Sequence, residues 1–239
     1  MGGVTVEIKD VLVDGKTKKV YNTDQSDQVI IEYKDTLPAK FEPKKKSAKG
    51  KGELACAISA FLFEYLENYN VPTHFLRRRD NTSIEAKKLD MIPITVHIWN
   101  LATNNLASRF GLEEGQPLEY PIIEFYLKNV ELNNPMINEY HAYALGLCDR
   151  KEYTNLLRIA TKVNAVLKSF FDRKQLKLAS LQLEFGRSGH QVVLGDDMSP
   201  DTLELWAVNE DGSYRDLGYR GMKDLSIYQE IKNRILGEK

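Results

Sequence analysis

The chain has 239 residues, is nearly neutral with 33 Lys and Arg against 34 Asp and Glu, and is 42% hydrophobic. That is enough for one large domain or two lobes around a cleft, and the balanced charge removes the electrostatic case for nucleic acid as a partner. No apolar run approaches the roughly 20 residues of a membrane helix, no signal peptide is evident, and Val6 stands where a myristoylation motif after Met1-Gly2 requires Ser or Thr. Cys56 and Cys148 are too few and too isolated for a disulfide framework or a zinc site, which points to a cytoplasmic protein with reduced, buried thiols.

In chain order, Val4 to Ile8, Val11 to Val13, Lys18 to Tyr21 and Val29 to Tyr33 are short apolar or β-branched runs between turn-rich stretches. They predict an antiparallel meander. From Glu53 the period changes: Leu54, Ala57, Ile58, Phe61, Leu62, Tyr65 and Leu66 recur at helical spacing until Val71-Pro72. Met91 to Ile98 and Leu118 to Tyr126 read as strands. A second helix is marked by the stripe Leu156, Leu157, Ala160, Val163, Leu167, Phe170 and Phe171.

The next segment carries the chemistry. Leu181, Leu183 and Phe185 alternate with Ser180, Gln182 and Glu184, so one polar strand face ends in a carboxylate. If Arg187 to His190 turns the chain, Asp196 and Asp197 return beside Glu184, giving hard oxygen ligands suited to a magnesium ion on nucleotide phosphates. An edge hairpin with a solvated outer face would show the same pattern. Ser199-Pro200-Asp201 also reads as a helix start, with Ser199 as cap and Pro200 in the first turn. The four histidines include no pair at metal-ligand spacing, although His97 shares a strand face with Trp99.

Taken together, the segments Val13-Asp14-Gly15-Lys16-Thr17-Lys18-Lys19-Val20-Tyr21, Gly50-Lys51-Gly52-Glu53-Leu54, Val71-Pro72-Thr73-His74-Phe75, Lys87-Lys88 with Ile92-Pro93, Gly111-Leu112-Glu113-Glu114-Gly115, Glu124-Phe125-Tyr126, Pro135-Met136-Ile137-Asn138-Glu139 with His141, Leu183-Glu184-Phe185-Gly186 and Ser199-Pro200-Asp201 stand in a distinctive order. The chain resembles the phosphoribosylaminoimidazole-succinocarboxamide synthase (SAICAR synthetase) family over almost its whole length. The resemblance implies an α+β, two-lobed fold: a nucleotide-binding β-rich lobe at 1–90, and a metal- and substrate-binding lobe at 91–239, with ATP in the cleft. It implies an ATP-dependent ligase that activates a small-molecule carboxylate as an acyl phosphate for attack by an amine.

The same resemblance assigns Gly15, Lys16, Lys18 and Lys88 to ATP, Glu184 and Asp196 to magnesium, and a catalytic set of Lys16, Glu184 and Asp196. Asp197 and Asp201 are weaker metal candidates. Without the resemblance, a Gly followed by lysines, as at Gly15, is more often a solvated hairpin tip, and the run Lys44, Lys45, Lys46, Lys49, Lys51 is either a phosphate-facing loop or a solvated face.

The departures from the family lie on the substrate side. Lys40-Phe41-Glu42 replaces the family's Phe-Asn-Gly, Trp99-Asn100 stands for Arg-Asn, Thr103-Asn104-Asn105 for Ala-Gly-Ser, Ser180 and Gln182 for Asp and Lys, and Glu204 for Arg. Trp99, Asn100, Asn105, Gln182, Glu204 and Arg215 are therefore the expected substrate contacts. The loss of two guanidinium groups predicts a carboxylate other than the family's phosphorylated one, with Trp99 offered for stacking or simply packed in the core while Arg109, Arg215 or Arg220 takes the phosphate. Two alternatives stand beside this reading, an ordinary SAICAR synthetase and a non-catalytic nucleotide-binding relative. Self-assembly into a homo-oligomer is compatible with all three.

Overall fold

The computed structural model describes residues 6–37, 47–217 and 225–237; Lys40-Phe41-Glu42, Lys44 to Lys46, Arg220 and the opening Val4 of the first predicted strand lie outside them. Two antiparallel sheets and the helices between them make an α+β fold. The first sheet contains β1 (Ile8–Asp14), β2 (Lys18–Thr23), β3 (Gln28–Tyr33), β4 (Phe75–Arg78) and β5 (Ser83–Lys87) in the order β1-β2-β3-β5-β4. Helix α1 (Lys51–Glu67) crosses one face of it. The two runs predicted at Val4 to Ile8 and Val11 to Val13 meet in β1, whose register against β2 shifts between Ile8 and Val11 and again before Val13.

The start of α1 is fixed by backbone sterics. A Cβ on Gly52 would lie 2.3 Å from the Tyr33 carbonyl oxygen, so only glycine lets the first turn rest on the end of β3. The Gly52 N–H donates to Asp35 Oδ1 at 2.9 Å. Ala55, Ile58, Leu62, Phe63 and Leu66 are all buried, because the helix lies between the first sheet and two further helices, α4 (Arg150–Asp172) and α5 (Ser226–Leu236).

The second sheet runs β12-β11-β9-β6-β7-β8, with β10 also on β9. Its strands are β6 (Asp90–Ala102), β7 (Gln116–Leu127), β8 (Met136–Ile137), β9 (Leu176–Ser188), β10 (Gln191–Gly195), β11 (Leu203–Val208) and β12 (Tyr214–Asp216). Two short helices, α2 (Asn104–Phe110) and α3 (Glu139–Ala144), sit in the connections. Helix α4 begins at a reciprocal cap in which Asp149 and Glu152 each accept the other's backbone N–H, the arrangement that satisfies two orphan donors at once. Leu156, Ala160, Val163, Leu167, Phe170 and Phe171 form its buried stripe. Leu157, predicted within that stripe, turns outward at 39% exposure. Each fully buried Leu or Phe contributes about 1.5–3 kcal/mol.

β9 is paired along one edge by β6 and along the other by two strands in succession, β11 opposite Leu176 to Leu181 and β10 opposite Glu184 to Ser188. The chain crosses between them from Gly195 to Leu203. The helix expected at Ser199-Pro200 does not form. β11 begins at Leu203, leaving room only for a turn in which the Thr202 and Leu203 N–H groups donate to the Ser199 carbonyl. Gly186 of β9 lies against the residue that precedes β6: a Cβ there would meet Leu89 Cβ at 2.7 Å.

The sheets join at one parallel bridge, Thr73 to Leu194, with His74 N–H donating to the Leu194 carbonyl and Leu194 N–H to the Pro72 carbonyl. One hydrophobic cluster extends from Val29 in the first sheet to Ile235 in α5. Among the described residues no helix is long and apolar enough to cross a membrane.

Candidate active site

The β9–β10 ladder pairs Glu184 with Gly195, so the next residue, Asp196, emerges beside Glu184 as the hairpin reading requires. Asp196 is held in the left-handed region at φ 61°, a conformation that costs a non-glycine residue about 1–3 kcal/mol and is common at functional sites. Lys18, the first residue of β2, reaches across from the other sheet. Its Nζ lies 2.7 Å from Asp196 Oδ2 and 3.5 Å from Asp197 Oδ2. Lys128, just beyond β7, pairs with Glu184.

Burial opposes the charge on Asp196, but the Lys18 ammonium overcomes it and holds the carboxyl below its usual range. Burial also opposes the charge on Lys18, yet Asp196 and Asp197 raise it above an ordinary lysine. Burial and the neighbouring Asp196 push Glu184 up against the pull of Lys128. Asp197 is raised chiefly by burial.

Asp197 is 2% exposed. Its Oδ2 accepts from Ser199 Oγ at 2.9 Å, while Oδ1 has no hydrogen-bond partner among the described residues. A buried carboxylate oxygen left without a donor is costly, and a cation is the partner that would relieve it. The donor set therefore fits a magnesium ion: hard carboxylate oxygens, with Asp197 Oδ1 still unsatisfied. Among the described residues no three potential ligands already converge on one point, so phosphate and water oxygens would complete the shell, as magnesium commonly prefers.

From this cluster a polar face extends across the second sheet. Cross-strand register aligns Tyr126, Thr95 and Glu184, then Glu124, His97 and Gln182, then Ile122, Trp99 and Ser180. Glu124 is a hub. It accepts from Arg109 of α2 at 2.5 Å, from Tyr126 Oη at 2.6 Å and from Trp99 Nε1 at 3.0 Å. The Trp99 indole is 3% exposed and stacks on His97, with ring centroids 3.8 Å apart. It is packed, and does not offer an open face for stacking.

Glu204 is equally internal. It accepts from Ser180 Oγ at 2.9 Å, Thr103 Oγ1 at 3.0 Å, Asn104 Nδ2 at 3.1 Å and Trp206 Nε1 at 3.3 Å. Burial raises its carboxyl despite these donors. The replaced positions Trp99, Thr103, Asn104, Ser180 and Glu204 thus satisfy one another or the hub beside them.

Gly15 forms the β1–β2 turn, its N–H donating to the Lys18 carbonyl and its own carbonyl accepting from Lys34 Nζ. Lys16 projects from that turn into solvent, and Gln182 faces the polar sheet beside His97. Asn105 is exposed in the first turn of α2. Three expected contacts are not brought to the cluster. Asn100 points to the opposite face of β6, where it exchanges hydrogen bonds of 2.8 and 3.0 Å with Asn164 of α4. Arg215 pairs with Glu230 of α5, and Lys88 donates to Asn22 at 2.9 Å on the exposed side of the first sheet.

Lys128 is a single Lys after a strand and carries no motif, and Glu124 stands in the family-like Glu124-Phe125-Tyr126 without a role that the sequence assigns. Lys51 stands in the sequence within a lysine run and a family-like segment, neither of which assigns it a partner. In the fold it is fully buried in an ion pair with Asp201, whose other oxygen accepts from Tyr228 Oη. Lys49 lies in the preceding turn.

The SAICAR synthetase family model matches residues 11–218. A phosphoribosylaminoimidazole-succinocarboxamide synthase of Chlorobium phaeobacteroides is 42% identical over 234 residues, 95% of this chain and 97% of that one. The crystal structure of the corresponding synthase from Ehrlichia chaffeensis superposes with a TM-score of 0.89 at 31% identity, over 96% of this chain and all of the other. A SAICAR synthetase in complex with ADP gives the same TM-score at 38% identity, over 96% and 99% of the two chains. With the Glu184, Asp196 and Lys18 cluster between two sheets of this topology, the chain belongs to the SAICAR synthetase family of ATP-dependent ligases that join a carboxylate to an amine.

Proposed function

We propose that the protein catalyses the family's own reaction, ATP-dependent condensation of the phosphoribosyl aminoimidazole carboxylate with aspartate. The observation that carries this is the acidic cluster at the junction of the two sheets, where Lys18 of β2 meets Asp196 and Asp197 beside Glu184. The expectation of a different carboxylate finds no support among the relatives, which bear the ordinary name at up to 42% identity over nearly full length. Trp99 and Glu204, which prompted that expectation, are internal struts. Among the described residues Arg109 and Lys128, paired with Glu124 and Glu184, are cations on the polar face that an anionic substrate could share. The match to an ADP complex supports ATP as the nucleotide.

On this reading residues 1–90 form the lobe over the nucleotide, with Gly15 and Lys16 turned to the phosphates, and 91–239 the lobe holding metal and acyl substrate. Glu184 and Asp196 would hold magnesium, which neutralises phosphate charge when bound. Lys128, paired with Glu184, and Gln182, two residues before Glu184 on the same strand face, would be the side chains nearest the transferred group. Transfer to that carboxylate gives an acyl phosphate; the aspartate amine attacks its carbonyl, and phosphate leaves. Orientation and charge neutralisation carry such a transfer, so no side-chain nucleophile is required.

The deciding assay combines the family carboxylate, aspartate and magnesium ATP. Turnover on the order of 1 per second or faster is expected, with loss in Glu184→Ala and Asp196→Ala together with their magnesium-dependent ATP binding. Normal ATP binding without amide formation would overturn the assignment, and a panel of other carboxylates and amines would then separate an altered substrate from a non-catalytic nucleotide-binding protein.

A further inference from the structure

Asp196 and Asp197 follow β10 beside Glu184, and the ammonium of Lys18 lies against both aspartates. Lys18 is the one cation within ion-pair distance of both Asp196 and Asp197 among the described residues. Its side chain is 15% exposed. Lys16, two residues earlier, is exposed and makes no ion pair among the described residues.

We propose that Lys18 is an internal counter-ion that occupies the cation site of the nucleotide-free protein and moves to the nucleotide's phosphates on binding, so that metal and nucleotide enter together. The inference rests on the reading of Glu184 and Asp196 as the metal ligands. Magnesium lies about 2.0–2.1 Å from its oxygens. An ion on Asp196 Oδ2 would therefore stand within about 5 Å of an ammonium 2.7 Å from the same atom, and in a partly buried site that repulsion is weakly screened.

The ammonium is also an incomplete substitute. Asp197 Oδ1 remains unpartnered beside it, so the cluster keeps unmet demand for positive charge. Release is structurally cheap: Lys18 sits at the end of an edge hairpin whose outer strand, β1, is exposed at every residue and pairs only with β2. Its flexible four-carbon stem lets the ammonium move without a shift in the strand. Anionic phosphates provide the new partner.

The test is a titration of nucleotide-free protein with Mn2+, free metal being read by its electron paramagnetic resonance signal. Lys18→Met should bind Mn2+ at least tenfold more tightly than the wild type. Lys19→Met, which removes the same charge from the adjacent position of β2, should stay within twofold of it. Lys18→Arg keeps the counter-ion and should remain weak, which preserves the test if the Met variant fails to fold. Addition of ADP should strengthen Mn2+ binding greatly in the wild type and much less in Lys18→Met. Equal Mn2+ affinity of wild type and Lys18→Met without nucleotide would overturn the proposal while leaving the metal ligands in place. Failure of every variant to bind Mn2+ even with ADP would overturn the metal assignment and this inference with it.

Discussion

Lys51 and Asp201 form a fully buried ion pair between the first turn of α1 and the turn before β11, and its energetics are open to a quantitative test. The Lys51 ammonium also lies 5.7 Å from the ring centroid of Tyr228 in α5, so three distant parts of the chain meet at one charge. Removing one partner strands the other without solvent, a loss of about 3–5 kcal/mol. At an unfolding entropy of about 2.1 cal/mol/K per residue, a chain of 239 residues changes melting temperature by about 2 °C per kcal/mol. Lys51→Met and Asp201→Asn should therefore each lower Tm by roughly 6–10 °C. The double variant Lys51→Met with Asp201→Leu should recover most of the loss, since a packed apolar pair often equals a buried ion pair. Thermal melts by circular dichroism, checked by urea unfolding at pH 7, supply the comparison. Single variants that lose less than about 2 °C, or a double variant as unstable as the two singles summed, would refute the reasoning.

Two further outcomes follow from local geometry. Gly52→Ala places a Cβ 2.3 Å from the Tyr33 carbonyl oxygen and should cost at least about 1–3 kcal/mol in urea unfolding; an unchanged midpoint would show that the start of α1 is free to shift. His74 is 3% exposed, its Nε2 lacks a hydrogen bond among the described residues, and burial lowers its pKa to about 4 from 6.5. The unfolded chain therefore binds the proton more readily, and stability falls as pH drops from 6.5 toward 4, by up to about 3 kcal/mol from this group. His74→Asn should flatten the pH dependence of the urea midpoint in that interval, and parallel wild-type and variant curves would contradict the assignment.

The hairpin that brings Asp196 back to Glu184 was legible in the sequence because strand alternation fixes which side chains share a face, and a short turn fixes the return. The long helix with its Leu156 to Phe171 stripe was legible by the same periodicity. Asn100 and Arg215 were misplaced for physical reasons. Asn100 follows Trp99 directly, so it must face the other side of β6, while Arg215 found a carboxylate on α5 that no local pattern announces. The meaning of Trp99 and Glu204 was hidden because it depends on donors far away in sequence: Glu124, Thr103 and Ser180 turn what reads as lost cations into a satisfied internal network. Lys18 shows the same limit, since its partners lie on the other sheet.

β9 is clasped on one edge by two successive strands, and this restricts how the active site can evolve. The span from Gly195 to Leu203 is anchored in a ladder at each end, so an inserted or deleted residue would transfer its error to β10 or β11 and turn alternate side chains to the wrong face. Most binding sites diversify by growing or trimming loops. Here the length of the segment that carries Asp196 and Asp197 is locked, and a lineage seeking new acyl substrates is left with exchanges of side chain on the broad polar face, one register position at a time.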